Sequence, residues 1–196
     1  MIYRDYYFEC NGGSLSQNQN EYFIDLLEKY KPKNICELGC GQSTLIFKKY
    51  CEINGGKLLS IEHDINYVMH DNTKLLDYTI GDFMGYSNCN YYIGLEKIIK
   101  ESNKLFDFIL VDGPIGVNGC LVYSRIQAID FVLYNKISNN CVMLIHDTER
   151  VGEKNTIIEL EKLLIDKKYT FEKNTVIDEI GRELTCYIIK KVRLSN

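Results

Sequence analysis

The sequence lacks the cysteine and histidine patterns that bind structural metals or carry out disulfide exchange. Its eight cysteines contain no C-x-x-C pair, and they do not combine with the three histidines at the spacing of a zinc site. Several of them, such as Cys36 and Cys141, lie inside apolar stretches, where a free cysteine behaves as a small hydrophobic residue. Scattered reduced thiols are typical of the cytosol, so we expect a cytoplasmic protein.

The sequence also lacks an excess of positive charge and any long apolar run. Its formal net charge is -4, which gives no general attraction to nucleic acid or to an anionic membrane. No apolar stretch approaches the length of a membrane span, and no charged-then-apolar leader is visible. We therefore expect neither nucleic acid nor a membrane as a partner. The oligomeric state has no signal in the sequence.

Internal repeats and linker-like segments are absent as well. With 196 residues, 45% of them hydrophobic and 26% charged, the chain is predicted to form one domain, 1–196, with a substantial core. Residues 1–30 are predicted to form an irregular arm and a helix that begins at the capping box Ser16-x-x-Gln19 and ends before Pro32. Four aromatic residues of the arm either pack on the domain or form a lid over a ligand: Tyr3, Tyr6, Tyr7 and Phe8.

The rest of the chain is organised around residues 34–44. Residues 35–38 are predicted to be a buried strand, Gly39 and Gly41 allow a tight turn, and residues 42–44 open a helix. Unpaired N–H groups at a helix N-terminus, together with glycines, let an adenosine-bearing ligand approach the backbone. Two cofactors fit this arrangement, a dinucleotide and S-adenosylmethionine.

Two side chains of this stretch distinguish the two cofactors. The dinucleotide fingerprint G-x-G-x-x-G requires a glycine where this chain has Thr44, and this counts against NAD. Glu37 ends a buried strand, where a carboxylate is costly unless it meets a donor, and the ammonium group of a ligand would supply one. The residues of the turn that are predicted to bind the cofactor are Glu37, Gly39, Cys40, Gly41, Ser43 and Thr44.

Strands alternate with helices along the chain, which predicts a mainly parallel sheet with right-handed crossovers. The predicted strands cover residues 35–38, 57–62, 75–80, 106–111, 141–145, 169–177 and 183–192, the last two flanking a hairpin-like turn. After the first helix, further helices are predicted over about 43–53, 65–70, 94–102, 121–133 and from a cap at 156 through 164, with loops at 88–92 and 113–119.

The pattern Glu37-x-Gly39-x-Gly41 and the terminal strand–turn–strand resemble the class I S-adenosylmethionine-dependent methyltransferases. The resemblance covers roughly residues 30–192. It implies an α/β, Rossmann-like fold, namely a seven-stranded, mostly parallel methyltransferase sheet with a C-terminal antiparallel hairpin and helices on both faces. It also implies S-adenosylmethionine as the cofactor.

Ligands of open α/β sheets bind beyond the carboxyl ends of the strands, and here acidic residues stand at the predicted strand ends. Glu62, followed by His63, lies near the spacing of about 20 residues at which such sites place a ribose-binding carboxylate. We expect both residues at the cofactor. The resemblance further implies that Asp82 and Phe83, after the third predicted strand, contact the adenine.

Asp112, His146 and Asp147 follow the fourth and fifth predicted strands, and their role stays open. They resemble the strand-end residues of catechol-type and macrocin-type O-methyltransferases, in which Asp112 and Asp147 would bind Mg²⁺ or another divalent cation and the metal would activate an acceptor hydroxyl. The catechol-type Asp-Asn pair is Asp147-Thr148 in this chain, which leaves the third ligand unassigned. In the rival interpretation the site is metal-free, and His146 is a general base oriented by a neighbouring acid. A third reading gives His146 and Asp147 only a structural role, capping the loop that follows them.

The sequence therefore predicts an S-adenosylmethionine-dependent methyltransferase that acts on a hydroxyl oxygen of a small molecule or sugar, with Asp112, His146 and Asp147 as catalytic residues. The string from Val111 to Pro114, with Arg125 downstream, resembles glycan O-methyltransferases of the glucuronoxylan type and favours a glycan acceptor. Arg125 either pairs with an acceptor carboxylate or lies on a solvated helix face. The alternatives are a non-catalytic nucleoside-binding module of the same fold and, less favoured, an NAD-dependent oxidoreductase.

Overall fold

Seven strands form one sheet in the computed structural model of the protein, which describes residues 15–116 and 121–192. The strands of this sheet are β1 (Asn34–Leu38), β2 (Lys57–Glu62), β3 (Thr73–Leu75), β6 (Phe106–Val111), β7 (Ile137–His146), β8 (Tyr169–Ile177) and β9 (Glu183–Lys191). Their order across the sheet is β3-β2-β1-β6-β7-β9-β8. A separate two-stranded hairpin consists of β4 (Tyr78–Phe83) and β5 (Tyr86–Tyr92).

The sheet is parallel except for one strand. β1 pairs in parallel with β2 and β6, β2 pairs in parallel with β3, and β6 with β7. β9 runs antiparallel between β7 and β8. The carboxyl ends of β1, β2, β6 and β7 therefore meet at one edge, and the predicted mostly parallel sheet with a C-terminal antiparallel hairpin is confirmed.

Helices cover both faces of the sheet. Within the described residues the α-helices are α1 (Gln17–Tyr30), α2 (Gln42–Asn54), α3 (Leu95–Glu101), α4 (Ala128–Leu133) and α5 (Val151–Asp166). Phe108 and Leu110 of β6 belong to one apolar core with α1 and α2, while Ile109 and Val111 belong to a second core with α3, α4 and α5. Since β6 is buried on both faces, it needs the continuous apolar sequence from which it was predicted. None of the described helices combines the length and the apolar character needed to cross a membrane.

Helix α1 is part of the core. Its predicted start is confirmed, because the backbone N–H of Ser16 donates to Gln19 Oε1 at 3.1 Å. Phe23 is fully buried, with its ring centroid 4.8 Å from that of Phe47 on α2. The aromatic residues of the arm, residues 3–8, lie outside the described residues, so the idea of a lid stays a prediction for them.

The third strand of the sheet is not where the sequence placed it. We predicted residues 75–80, whereas β3 ends at Leu75 and Tyr78 already begins the separate hairpin. Residues 88–92, predicted to be a loop, form most of the second hairpin strand. Met84 and Gly85 have φ angles of 51° and 88°, as the tight turn of a hairpin requires. The helix predicted over 65–70 is only a short 3-10 turn, Ile65–Tyr67.

Two predicted helix starts are also wrong, and both errors concern segments next to the site. The helix predicted from residue 121 begins only at Ala128, because Arg125 has a φ of 57°, which an α-helix does not allow. Helix α5 begins at Val151, before the predicted cap at Thr156. The Thr156 hydroxyl donates instead to the carbonyl oxygen of Ser124 at 2.7 Å, so it anchors the irregular segment that carries Arg125.

Candidate active site at the carboxyl edge of the sheet

The structure explains the two glycines after β1 in different ways. Gly39 has a φ of +85°, and a Cβ there would lie 2.8 Å from the carbonyl carbon of Asp112 and 2.9 Å from the backbone nitrogen of Gly113. It is therefore required for the close contact between the ends of β1 and β6. Gly41 has no atom within 4 Å of the corresponding position. Of the two, only Gly41 faces open space into which a ligand can come.

Glu37 is held by protein hydroxyls, so our argument that its carboxylate needs the ammonium of a ligand is wrong. The side chain is fully buried. Oε1 accepts from the Ser43 hydroxyl, and Oε2 accepts from Thr44 Oγ1 at 2.8 Å and from Ser60 Oγ at 3.0 Å. Burial raises its pKa from 4.5 to about 7, although the three hydroxyls lower it in part. Glu37, Ser43 and Thr44 thus fix the turn between β1 and α2.

Glu62 lies at the end of β2, as predicted, and its carboxylate spans to the glycine turn. Oε2 accepts from the backbone N–H of Cys40 at 2.7 Å. Oε1 accepts from the N–H groups of His63 at 2.6 Å and Asp64 at 2.9 Å. The ring nitrogen Nδ1 of His63 also lies 2.8 Å from Oε1. A carboxylate oxygen has about two acceptor positions, so one position on Oε2 remains for a further donor.

Asp82 and Phe83 do not stand at a strand end of the large sheet, and the placement on which their adenine role was predicted is wrong. Both belong to the hairpin strand β4. Asp82 is exposed and accepts from the backbone N–H of Asn88 at 3.3 Å. Phe83 is buried in the core, with its ring centroid 4.7 Å from that of Tyr91. The physical reason is the bulged hairpin, which removes this stretch from the parallel sheet.

Other aromatic rings, and not that of Phe83, lie beside Glu62. The His63 ring centroid is 4.8 Å from that of Tyr78, and 6.2 Å from that of Tyr92. The Tyr92 hydroxyl is buried without a hydrogen-bond partner among the described residues and touches Gly113, where a Cβ would lie 2.2 Å from it. Burial, followed by the nearby Glu62 carboxylate, raises the pKa of Tyr92 well above its usual value. Sequence reasoning missed Tyr78 and Tyr92 because the hairpin that carries them was not recognised.

Asp112, His146 and Asp147 come together at the ends of β6 and β7. His146 Nδ1 is 2.9 Å from Asp112 Oδ1 and 3.7 Å from Asp147 Oδ1. One ligand atom from each of the three residues lies within 4.8 Å of the others, which is close enough to hold a metal ion. The prediction that these residues form one cluster is confirmed.

The members of this cluster differ in their access to solvent. The Asp112 side chain is 20% exposed, whereas His146 is 1% exposed and its Nε2 is buried without a partner among the described residues. Burial alone would raise the pKa of Asp112, but His146 and then Arg125 outweigh it, so this pKa lies below its ordinary 3.8. Asp112 is therefore an ionised group that is partly open to solvent.

Arg125 lies inside the cluster and not on a solvated helix face as we had considered. It is 3% exposed. Its Nη2 is 2.8 Å from Asp147 Oδ2 and 3.1 Å from Asp112 Oδ1, and its Nη1 donates to the carbonyl oxygen of His146. Arg150 Nη1 also lies 2.8 Å from Asp147 Oδ2. The acids at this end of the edge are thus neutralised by arginines of the chain itself.

Comparison with known proteins identifies the fold. Neither a protein-family model nor a curated protein matches the sequence. Among solved structures, an O-methyltransferase from Bacillus cereus in complex with S-adenosylhomocysteine (SAH) has a TM-score of 0.59 at 14% identity, covering 92% of this chain and 84% of that one. The O-methyltransferase TomG from Streptomyces achromogenes, involved in tomaymycin synthesis and in complex with S-adenosylmethionine, has a TM-score of 0.61 at 11% identity, covering 91% and 82%. An SAH-bound methyltransferase from Podospora anserina has a TM-score of 0.61 at 16% identity, and the match covers 98% of this chain and 86% of that one. The chain has the class I methyltransferase fold.

Proposed function

We propose that the protein is an S-adenosylmethionine-dependent O-methyltransferase. The observation that carries the proposal is the arrangement of one strand edge. In the strand order β2-β1-β6-β7, Gly41 and Glu62 stand at the ends of β1 and β2, and Asp112 and His146 stand at the ends of β6 and β7, with the Gly39–Gly113 contact between β1 and β6. A cofactor and an acceptor bound on the two sides would meet at that contact.

The residues around Gly41 fit the cofactor on structural grounds. The remaining acceptor position of Glu62 suits a ribose hydroxyl. The rings of His63 and Tyr78 form a wall suited to an adenine. The buried Tyr92 hydroxyl offers one more polar group next to Gly113. Gly39, Glu37, Ser43 and Thr44 would act indirectly, by holding the turn, and Gly41 and Cys40 would present backbone to the ligand.

On the acceptor side, the chain's own residues position the hydroxyl and receive its proton. When bound, S-adenosylmethionine supplies an electrophilic methyl group. The acceptor oxygen would form a bond to this carbon while the methyl–sulfur bond breaks and SAH leaves, and the proton of the acceptor hydroxyl would pass to a base. Asp112 is the reachable base, and His146 holds it in place by donating from Nδ1. Alignment of the two substrates contributes most of the rate, so little further chemistry is required of the protein.

The experiment for the cofactor is calorimetric titration with S-adenosylmethionine, SAH and NAD. We expect binding of the first two at micromolar strength and no binding of NAD. Glu62→Gln should weaken SAH binding about tenfold, the effect of one hydrogen bond to a charged group. The matched control Glu52→Gln changes an exposed acid on α2 and should leave SAH binding unchanged. Absence of SAH binding would sink the proposal, and SAH binding without any methyl transfer would favour the nucleoside-binding module.

The role of His146 has its own test. The side-chain nitrogen of asparagine lies where histidine has Nδ1, so His146→Asn keeps the donor to Asp112 while it removes the imidazole. If His146 positions Asp112, His146→Asn retains turnover within about tenfold of wild type and His146→Ala loses about 100-fold or more. Equal losses in both variants would make the imidazole itself the base.

The class of acceptor and the location in the cell are further proposals. We propose a small-molecule or sugar hydroxyl as the acceptor, with the Val111 to Pro114 string supporting a glycan, and expect no nucleic acid. A screen of free sugars, oligosaccharides and phenols with methyl-labelled cofactor would test it. A single catalytic domain over residues 1–196 and a cytoplasmic location remain predictions from the sequence.

A further inference from the structure

The guanidinium of Arg125 lies between the two carboxylates that were predicted to bind a metal. One nitrogen, Nη2, contacts both of them, at 2.8 Å from Asp147 Oδ2 and 3.1 Å from Asp112 Oδ1. A second nitrogen donates to the carbonyl oxygen of His146, which precedes Asp147 in the sequence and lies 2.9 Å from Asp112 through its Nδ1. Arg125 therefore contacts all three residues of the candidate metal cluster.

This placement does not fit a divalent cation at the same point. Mg²⁺ requires about six oxygen ligands at roughly 2.1 Å, and Ca²⁺ requires six to eight at about 2.4 Å. An ion bound to Asp112 Oδ1 and Asp147 Oδ2 would have to lie where Nη2 already lies. An ion at the other oxygens of the two acids would lie next to the guanidinium and be repelled by its charge. The residue after Asp147 is a threonine whose hydroxyl is 2.7 Å from Thr185 Oγ1, so it is already used by β9. The residues present therefore do not make a divalent-cation site.

The backbone holds Arg125 in this position. Its φ of 57° is unusual for a residue with a side chain, and such a conformation persists only where the surroundings fix it. The N–H of Arg125 donates to Asn90 Oδ1 at 2.9 Å, and the Asn90 side chain is itself bound to the carbonyl oxygen of Ile115 at 2.8 Å. The guanidinium Nε is 3.9 Å from the buried Glu153. These contacts fix both the backbone and the side chain of Arg125 in one position.

We propose that Arg125 takes the place of a divalent cation, so that the site works with a guanidinium as its permanent cation. Arg125 acts as a positioning residue, since it orients Asp112 and Asp147 and contributes the positive charge next to the acceptor. An arginine suits this use because its guanidinium has several N–H donors in a fixed geometry and never loses its proton. The statement that Arg125 lies next to an acceptor rests on the proposed function. The statement that Arg125 occupies the position of a cation does not depend on that function.

Displacement of Arg125 by a metal is opposed by its burial. The side chain would have to leave four oxygen-bearing partners and find solvent through surroundings that expose only 3% of it. A buried charge that loses its partners is strongly unfavourable. Asp147 would meanwhile keep its 2.8 Å contact with Arg150 Nη1, so the metal would meet a second competing cation.

The test is binding of Mn²⁺, measured by electron paramagnetic resonance of the purified full chain. We expect no bound Mn²⁺ in the wild-type protein at concentrations up to about 1 mM. Arg125→Ala removes the guanidinium and should create a Mn²⁺ site at least tenfold tighter than any wild-type binding. Adding Asp147→Asn to that variant should remove the site again. Arg150→Gln is the matched control, because it removes the other arginine of Asp147 and leaves Arg125 in place, so it should gain no Mn²⁺.

Two outcomes overturn the proposal. One is wild-type Mn²⁺ binding that Asp147→Asn abolishes, because a metal would then occupy the cluster despite Arg125. The other is a folded Arg125→Ala protein that gains no Mn²⁺, because the acids would then not form a cation position. If Arg125→Ala does not fold, the wild-type titration alone decides. SAH binding is measured on the same samples, so a failure of the proposed function is recorded separately from a failure of the cation replacement.

Discussion

The two halves of the strand edge treat buried acids in opposite ways. At β1 and β2, Glu37 and Glu62 are bound by neutral donors, namely hydroxyls and backbone N–H groups. At β6 and β7, Asp112 and Asp147 are bound by arginines. The pKa values follow, with that of Glu37 raised to about 7 and that of Asp112 held below 3.8. The first half thus binds its acids with neutral donors, and the second half pairs its acids with the fixed positive charges of arginines.

The largest expected effect comes from breaking the charged half. Asp147→Asn leaves Arg125 and Arg150 without one carboxylate in a buried place, where the loss of a partner costs about 4 kcal/mol. Urea unfolding should show this loss. Asp71→Asn, at an exposed acid, is the control and should change stability by less than about 0.5 kcal/mol. A cost below about 1 kcal/mol for Asp147→Asn would show that the two arginines are solvated on their own.

The glycine turn offers a matched pair of smaller effects. Gly39→Ala places a Cβ against the backbone of β6 at a φ of +85°, and we expect about 3 kcal/mol of destabilisation. Gly41→Ala meets no neighbour, and its backbone is extended, so stability should stay within about 0.5 kcal/mol. Gly41→Ala should instead weaken SAH binding about tenfold or more. The reverse pattern, with stability lost at Gly41, would contradict the assignment of open space there.

The pH dependence of stability separates the halves. Between pH 4.5 and about 7 folded Glu37 keeps a proton that the unfolded chain releases, so this group stabilises at low pH and its contribution falls as pH rises. Asp112, with a lowered pKa, contributes above 3.8 and loses its contribution below that pH. Glu37→Gln should gain about 2 to 3 kcal/mol relative to wild type between pH 5 and pH 8. Parallel stability curves for the two proteins would mean that Glu37 is ionised throughout.

The sequence was sufficient for the sheet and for the ends of its central strands. β2, β6 and β8 occupy the predicted residues. For β2 and β6 the reason is burial, because buried strands have a hydrophobic pattern that is local in sequence, whereas β8 is a mostly exposed edge strand. Glu62 and the Asp112 cluster followed from those ends. The hairpin of β4 and β5 was missed because its strands contain Gly81, Asn88 and Asn90, which favour a loop by their propensities.

Arg125 could not be found by the same reasoning. Its partners Asp112 and Asp147 are distant in sequence, and its left-handed backbone has no local residue signal such as glycine. A helix pattern across residues 121–133 even favoured a surface position for it. Likewise, Ser43 and Thr44, two of the residues whose hydroxyls bind Glu37, were predicted to open a helix and bind the cofactor. Which charged side chains become buried depends on which helices, strands and loops pack together. A periodic pattern of residues along the chain does not contain that information.

The contact between Gly39 and Gly113 has a consequence for changing the acceptor. Here two main chains touch with no side chain between them, as a Cβ on Gly113 would lie 2.8 Å from the Gly39 Cα. In the proposed reaction, the cofactor side and the acceptor side of the sheet edge are therefore held at a spacing that main-chain contact fixes. Substitutions in the surrounding loops can change which acceptor fits while this spacing stays the same.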